Sequence, residues 1–435
     1  MSYKTPGVYV EEVAKFPPSV AQVETAIPAF IGYTAEGLKN EPTRISSMLE
    51  YEALFGKAKA EAFTVTVNTD NSVEATVVPS DFKMYYAMQM YFANGGGPCY
   101  IVSVGDLATG YPSSVEIGDL EDGLATLERE DEPTLIVFPD AEALADQAYK
   151  LYEKALDQAE LLKDRFVIMD VVGDVDEFKD TTGPSVGPSG DRLKYGAVYY
   201  PKLETVLSYN YDASTVQGVN LATLKTSNSE LYNKVKKAIE STSVVLAPSS
   251  TMAGIYAKVD STSGVFKAPA NVGLNYVVAP TVKISHEEQT VYNVNPTGRS
   301  INAIRAFTGK GTLVWGARTL DGNSNEWRYI SVRRFFNMVE ESVKKATERF
   351  VFEPNTANTW IRVQTMIENF LNQQWQDGAL AGSKPEEAYY VSVGLNKTMS
   401  AQDILEGRMI VEIGMAAVRP AEFIVLRFSH KLQES

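Results

Sequence analysis

Few residues in this chain could perform covalent or metal chemistry, and their spacing argues against it. The two histidines, His286 and His430, lie far apart, and only Glu287 and Glu288 adjoin the first. A zinc site needs three or four nitrogen, sulfur or oxygen ligands converging on one point, so both histidines read as surface or loop side chains. The one cysteine, Cys99, follows Gly95-Gly96-Gly97-Pro98 and leads into Tyr100-Ile101-Val102. That apolar run predicts a buried structural thiol rather than a nucleophile. Gly187-Pro188-Ser189-Gly190 is a turn, not the elbow that presents a nucleophilic serine. Thr308-Gly309-Lys310-Gly311-Thr312 lacks the first glycine and the residue order of a phosphate-binding loop, and it predicts a hairpin turn. The 55 aspartates and glutamates leave a glycosidase-type pair open, but no pair stands out from a solvated surface. No catalytic residue, cofactor-binding residue or metal ligand emerges, and no cofactor is expected.

The elements that would position such groups describe a scaffold instead. Ala26 to Thr34, Cys99 to Val104, Thr134 to Phe138, Phe166 to Met169, Gly196 to Tyr200 and Val244 to Leu246 are short apolar runs with strand character. Helices alternate with them. One spans about 81–94, one repeats Ala141, Leu144, Ala148, Tyr152, Ala155 and Ala159 at helical spacing behind an Asp140 N-cap, and one spans about 230–240. This alternation predicts an α/β domain with a mainly parallel sheet. Val65 to Val67 and Val73 to Val78 flank a polar turn and predict a hairpin inserted near 65–78. Thr181 to Gly190 reads as an exposed loop.

The last 150 or so residues change character. Val332, Phe335, Phe336, Val339, Val343, Ala346 and Phe350 form an apolar stripe on a long helix, opposite Arg333, Arg334, Glu340, Glu341, Lys344 and Lys345. Glu340→Lys344 and Glu341→Lys345 are favourably oriented pairs worth about 0.2–0.5 kcal/mol each. A second helix, about 359–376, is expected to bury Trp360, Val363, Ile367, Phe370 and Leu371 and to end at Gly378. Strands are expected at Tyr389 to Val393, Met409 to Ile413 and Glu422 to Phe428.

Composition removes several classes of function. The formal net charge of -15 disfavours a nucleic-acid partner, which calls for clustered cations. No apolar run approaches the roughly 20 residues of a membrane span, so no membrane insertion is expected. The opening MSYKTPGVYVEEV has no signal-peptide core, and a single cysteine suits folding in a reducing cytosol. At 435 residues the chain should form two or three domains.

Both ends are strand-like and flanked by proline: Gly7, Val8, Tyr9, Val10, Glu11, Glu12 and Val13 before Pro17-Pro18, and Phe423, Ile424, Val425, Leu426, Arg427 and Phe428 after Arg419-Pro420. An apolar terminal strand must pair, either within its own chain or on a neighbour's open edge. Donation from chain to chain is heterologous and builds rings or open helices.

Separated blocks resemble the contractile tail sheath proteins of phages, pyocins and related injection systems. They are Thr5 to Glu12, Phe30-Ile31-Gly32-Tyr33-Thr34, Tyr91 to Gly96, Ser300 to Arg305, Trp315 to Thr319, Trp327 to Arg334, Phe350 to Asn355, Gly407-Arg408 and Arg419 to Phe423. The resemblance covers about 1–105 and 270–435, whereas the middle is only generically similar. A single chain with both arms also differs from type VI secretion sheaths, whose unit is split over two proteins. The resemblance implies an α/β, overall α+β, tail-sheath fold. It has an N-terminal arm at 1–25, an outward α/β domain at 26–280, an inner domain at 281–420 and a C-terminal arm at 421–435. In that family the inner domain touches the tube, and its sheet takes strands from neighbouring subunits. The partners implied are further copies of the chain, an inner tube protein, a baseplate and a terminal cap, assembled in the bacterial cytoplasm into a phage tail or tail-like particle. Contraction would repack domains while the arms stay threaded, without nucleotide. For the tube contact the basic positions Arg333, Arg334, Lys344, Lys345 and Arg349 are the candidates, against a reading as an ordinary solvated face. A polysaccharide-degrading enzyme and a receptor-binding module are the competing functions.

Overall fold

A computed structural model describes residues 19–105, 111–180 and 186–427. The expected N-terminal strand (Gly7, Val8, Tyr9, Val10, Glu11, Glu12 and Val13), Phe428 and His430 lie outside the described residues. The chain divides into two compact units: Glu24–Glu340 with Arg419–Ser435, and Met1–Val23 with Glu341–Val418.

The larger unit is built on the expected parallel sheet. Among the described residues nine strands join in the order Val272–Gly273, Gly311–Val314, Ile301–Phe307, Gly196–Tyr200, Phe166–Asp170, Leu135–Val137, Pro28–Gly32, Cys99–Ser103 and Thr43–Ile45. From Ile301–Phe307 to Cys99–Ser103 every pairing is parallel, and the edges are antiparallel. Side chains alternate across a strand, so each apolar run feeds two cores. Ala29, Ile31, Val102, Ile136, Val167 and Met169 pack on one face with the helices Ile117–Thr126 and Ala148–Leu162. Phe30, Cys99, Ile101, Leu135, Val137 and Ile168 pack on the other with Met84–Ala93 and Ser249–Ser263. A strand buried on both faces reads as a continuous apolar run, which is why Pro28–Gly32 is buried throughout.

The hairpin is present as Phe63–Val67 and Val73–Val77. It shares a separate core with a three-stranded sheet (Ser243–Leu246, Leu203–Ser208 and Val277–Pro280) and the helix Ser229–Glu240.

Several expectations need correction. The boundary placed at residue 280 falls inside the larger unit, because Ile301–Phe307 and Gly311–Val314 extend the same sheet and Ile301 pairs with Val198. Asp140 does not cap its helix. Its buried carboxylate accepts instead from the N–H groups of Tyr33 (2.8 Å) and Lys83 (2.6 Å), tying a strand end to a helix start. Gly32 permits this approach, since a Cβ there would lie 2.5 Å from Asp140 Oδ2. The helix is also broken at Ala145, where φ is 48°. Gly187 and Pro188 are buried rather than exposed: Gly187 packs on the Phe178 ring and the Pro188 carbonyl accepts from Arg299.

In the smaller unit the helix Ala357–Gln376 buries Val363, Met366, Ile367, Phe370 and Leu371. Trp360 is half-buried, not buried, because its indole N–H turns to Asn355 Oδ1 at 2.6 Å. The strands Tyr389–Val393 and Val411–Met415 pair antiparallel, the second starting two residues later than expected.

Candidate strand-exchange surface

The groups that could have done chemistry have structural roles. Cys99 is buried in a strand, and burial pushes its thiol well above the ordinary range. His286 opens a helix capped by Ser285 and Glu288. Lys310 lies in the expected hairpin turn, between strands paired from Phe307↔Gly311 onward. Among the described residues no group of three or more His, Cys, Asp or Glu is placed to hold a metal ion, and no helix is long and apolar enough to cross a membrane.

The unusual features lie at the C-terminal end of the described residues and in the smaller unit's sheet. Residues 421–427 form no ladder, and Phe423, Ile424, Val425 and Leu426 are 71%, 78%, 76% and 72% exposed. Four consecutive exposed apolar side chains are what a sheet strand looks like without its sheet. Immediately before them Glu422 is held firmly. Its carboxylate accepts from Arg318 Nε (3.0 Å) and Nη2 (2.7 Å), from Asn293 Nδ2 (2.7 Å) and from the Tyr329 hydroxyl (3.2 Å). Burial raises the Glu422 carboxyl, but these bonds and the Arg318 charge hold it below its ordinary value.

The smaller unit carries open strand edges. Tyr389–Val393 and Val411–Met415 are each other's sole ladder partners among the described residues. A two-stranded sheet is marginal alone, and this one gains a floor by burying Val391 and Val393 and packing on Ala357–Gln376. Tyr390 lies across from Gly414, where a Cβ would sit 2.1 Å from its ring, and its hydroxyl donates to Glu412.

The basic positions separate into two groups. Arg333 and Arg334, expected on an exposed face, are only 3% and 4% exposed. Arg333 bonds Asn337 and Glu340 and lies over the Trp327 ring, and Arg334 pairs with Asp260. Both are internal to the larger unit and buried from solvent, not on the exposed face expected. In the smaller unit Lys344 and Arg349 are exposed and Lys345 is half-buried. Lys344 and Lys345 both pair with Glu341, and Arg349 lies against Met366 and the Phe350 ring. Sequence reasoning missed Asp260 and the pairing of Arg318 with Glu422, although both of the latter lie in blocks that resemble the family. For Arg334 the local signal was an arginine early in a helix, against its dipole.

Comparison with known proteins fits this geometry. Residues 323–431 match the family model of the phage tail sheath C-terminal domain. The chain is 32% identical, over 99% of both chains and with a TM-score of 0.69, to a chain in the contracted-state sheath complex of PVC, an extracellular contractile injection system. The chain belongs to the contractile tail sheath family. A chain in the baseplate structure of the anti-feeding prophage is 36% identical, over 99% of this chain and 100% of that one, with a TM-score of 0.69. The tail sheath protein of Enterobacteria phage T4 is 24% identical over 120 residues, 28% of this chain. That stretch spans 18% of the phage protein's length.

Proposed function

We propose that this chain is the repeating subunit of a contractile sheath, a structural protein and not an enzyme. It polymerises helically around an inner tube, is held extended and contracts to drive the tube through a target envelope. The observation that carries this reading is an exposed apolar run without a ladder, Phe423 to Leu426, in a chain that matches a contractile sheath structure over 99% of its length. Each subunit donates strands to the open edges of Tyr389–Val393 and Val411–Met415 in its neighbours, the N-terminal strand Gly7 to Val13 included. Backbone pairing of this kind holds through repacking of whole domains, so the stroke can draw on energy stored at assembly, and no nucleotide is required. Its partners are further copies of itself, an inner tube protein, a baseplate and a terminal cap. Assembly takes place in the bacterial cytoplasm, as part of a phage tail or an injection particle.

Negative-stain microscopy of the purified chain tests the reading. Sheath-like tubes are expected, and a variant lacking residues 1–18 should remain a folded monomer. Persistent monomers of the full chain at high concentration with tube protein present would overturn it.

A further inference from the structure

Glu422 is the one residue between Ala421 and Arg427 that is not exposed. The chain re-enters the larger unit at Arg419, and Glu422 is where it takes hold. Its partner Arg318 is 3% exposed and does not depend on Glu422 for its position, since its Nη1 also donates to the carbonyls of Asn293 (3.1 Å) and Gly322 (3.2 Å). The Arg318 backbone N–H donates to Asn302 Oδ1 at 2.8 Å, and Asn302 Nδ2 donates back to the carbonyls of Arg318 and Val198. Asn302 lies on Ile301–Phe307 and Val198 on Gly196–Tyr200, neighbouring parallel strands of the large sheet. A continuous run of hydrogen bonds therefore links the carboxylate at the root of an exposed strand to the interior of the sheet.

We infer that Arg318 and Glu422 form the anchor that roots the donated C-terminal strand in its own subunit, so that tension on the strand is borne by the large sheet. This rests on the sheath reading above. The chemistry suits the task. A two-point guanidinium–carboxylate contact is directional as well as strong, and it fixes both the position and the heading of the chain just before the apolar run. Fixing the heading lowers the ordering entropy of strand donation. A neutral residue at 422 would leave the strand able to pair but free to swivel at its root.

Glu422→Ala and Glu422→Gln test the anchor in the full chain, each with a spin label on cysteine placed at Ala421. Glu422→Gln, which keeps an oxygen acceptor for Arg318, should keep the monomer's thermal transition, whereas Glu422→Ala leaves the buried guanidinium without its carboxylate and should lower it. The label should be immobilised with Glu422 and mobile in Glu422→Ala, with Glu422→Gln between. Assembled yield, or chain retention after contraction, should fall by about tenfold or more in Glu422→Ala. An equally immobile label, or sheaths that assemble and contract at normal yield, would overturn the anchor. So would loss of the monomer transition in both variants, which would make the pair a fold-holding contact. Failure of the unsubstituted chain to form tubes would instead count against the sheath reading, whatever the label shows.

Discussion

Arg334 and Asp260 form an ion pair buried on both sides, with side-chain exposures of 3% and 6% and an N–O distance of 2.5 Å. Thr25 completes it, its hydroxyl donating to Asp260 (2.6 Å) and its carbonyl accepting from Arg334 (2.8 Å), while the guanidinium lies over the Tyr256 ring. Losing one partner strands a buried charge, so Asp260→Ala should destabilise the larger unit by about 3–5 kcal/mol. Thermal melting checks this. A joint Asp260→Leu, Arg334→Met variant should recover most of the loss, because an apolar pair leaves no unpaired charge.

The C-terminal strand should tolerate proline in the monomer and fail in the assembly. Ile424 and Leu426 are 78% and 72% exposed and join no ladder among the described residues. Ile424→Pro or Leu426→Pro removes a ladder donor, so melting of the monomer should be unchanged while tubes disappear. A drop in monomer melting with tubes intact would show that the strand pairs internally.

What could be read from sequence divides along physical lines. Pro28–Gly32, Cys99–Ser103 and Phe166–Asp170 were legible because a parallel strand buried on both faces is apolar along its whole length. The long-range polar pairs were not. Arg334 lies 74 positions from Asp260 and Arg318 lies 104 from Glu422, and no local spacing marks such partners. Amphipathic periodicity also misread Arg333 and Arg334, since a buried, fully paired arginine and a solvated one look alike on a helical pattern. The run Phe423 to Leu426 was legible as apolar and strand-like, but that it pairs with no strand among the described residues is visible only in three dimensions.

Stability should rise as pH falls from about 8 toward 5. Burial pushes the Asp170 carboxyl up to about 7 against the Ser249 N–H, which donates at 2.8 Å, with Glu142 raising it further and Lys202 opposing. Burial also pushes Asp140 up to about 6. A folded-state pKa above the ordinary carboxylate value means that the native chain binds the proton more tightly than the unfolded one. Each group's stabilising share is therefore full below about 4 and is lost as pH rises through its folded pKa, at about 1.4 kcal/mol per pH unit. Groups shifted down, Glu422 and Asp403 among them, lose their share only below the ordinary carboxylate range. Melting should therefore peak in mild acid, and Asp170→Asn should flatten the slope between about pH 6 and 7. A wild-type profile already flat from pH 5 to 8 would refute this.

The grip on the tube should fall on Lys344, Lys345 and Arg349 and spare Arg333 and Arg334. The Lys344 side chain is 61% exposed while its partner Glu341 is 8% exposed, so the cation reaches outward from a buried carboxylate. Exposed charges act through water and are screened within about 8–10 Å at ordinary salt, so a tube contact made by these groups should weaken as salt rises, while backbone-paired sheath contacts persist. Replacing all three by Gln takes both cations from the buried Glu341 carboxylate, so monomer melting should fall, and adding Glu341→Gln should restore it. Co-assembly with tube protein should then give empty sheaths or sheaths already contracted, scored by microscopy at low and high salt. Arg333→Gln with Arg334→Gln should lower melting before any effect on the tube can be seen. Filled, extended sheaths from the triple variant at normal yield would move the grip off this basic stretch, and the exposed side of Ala357–Gln376 would be the next surface to alter.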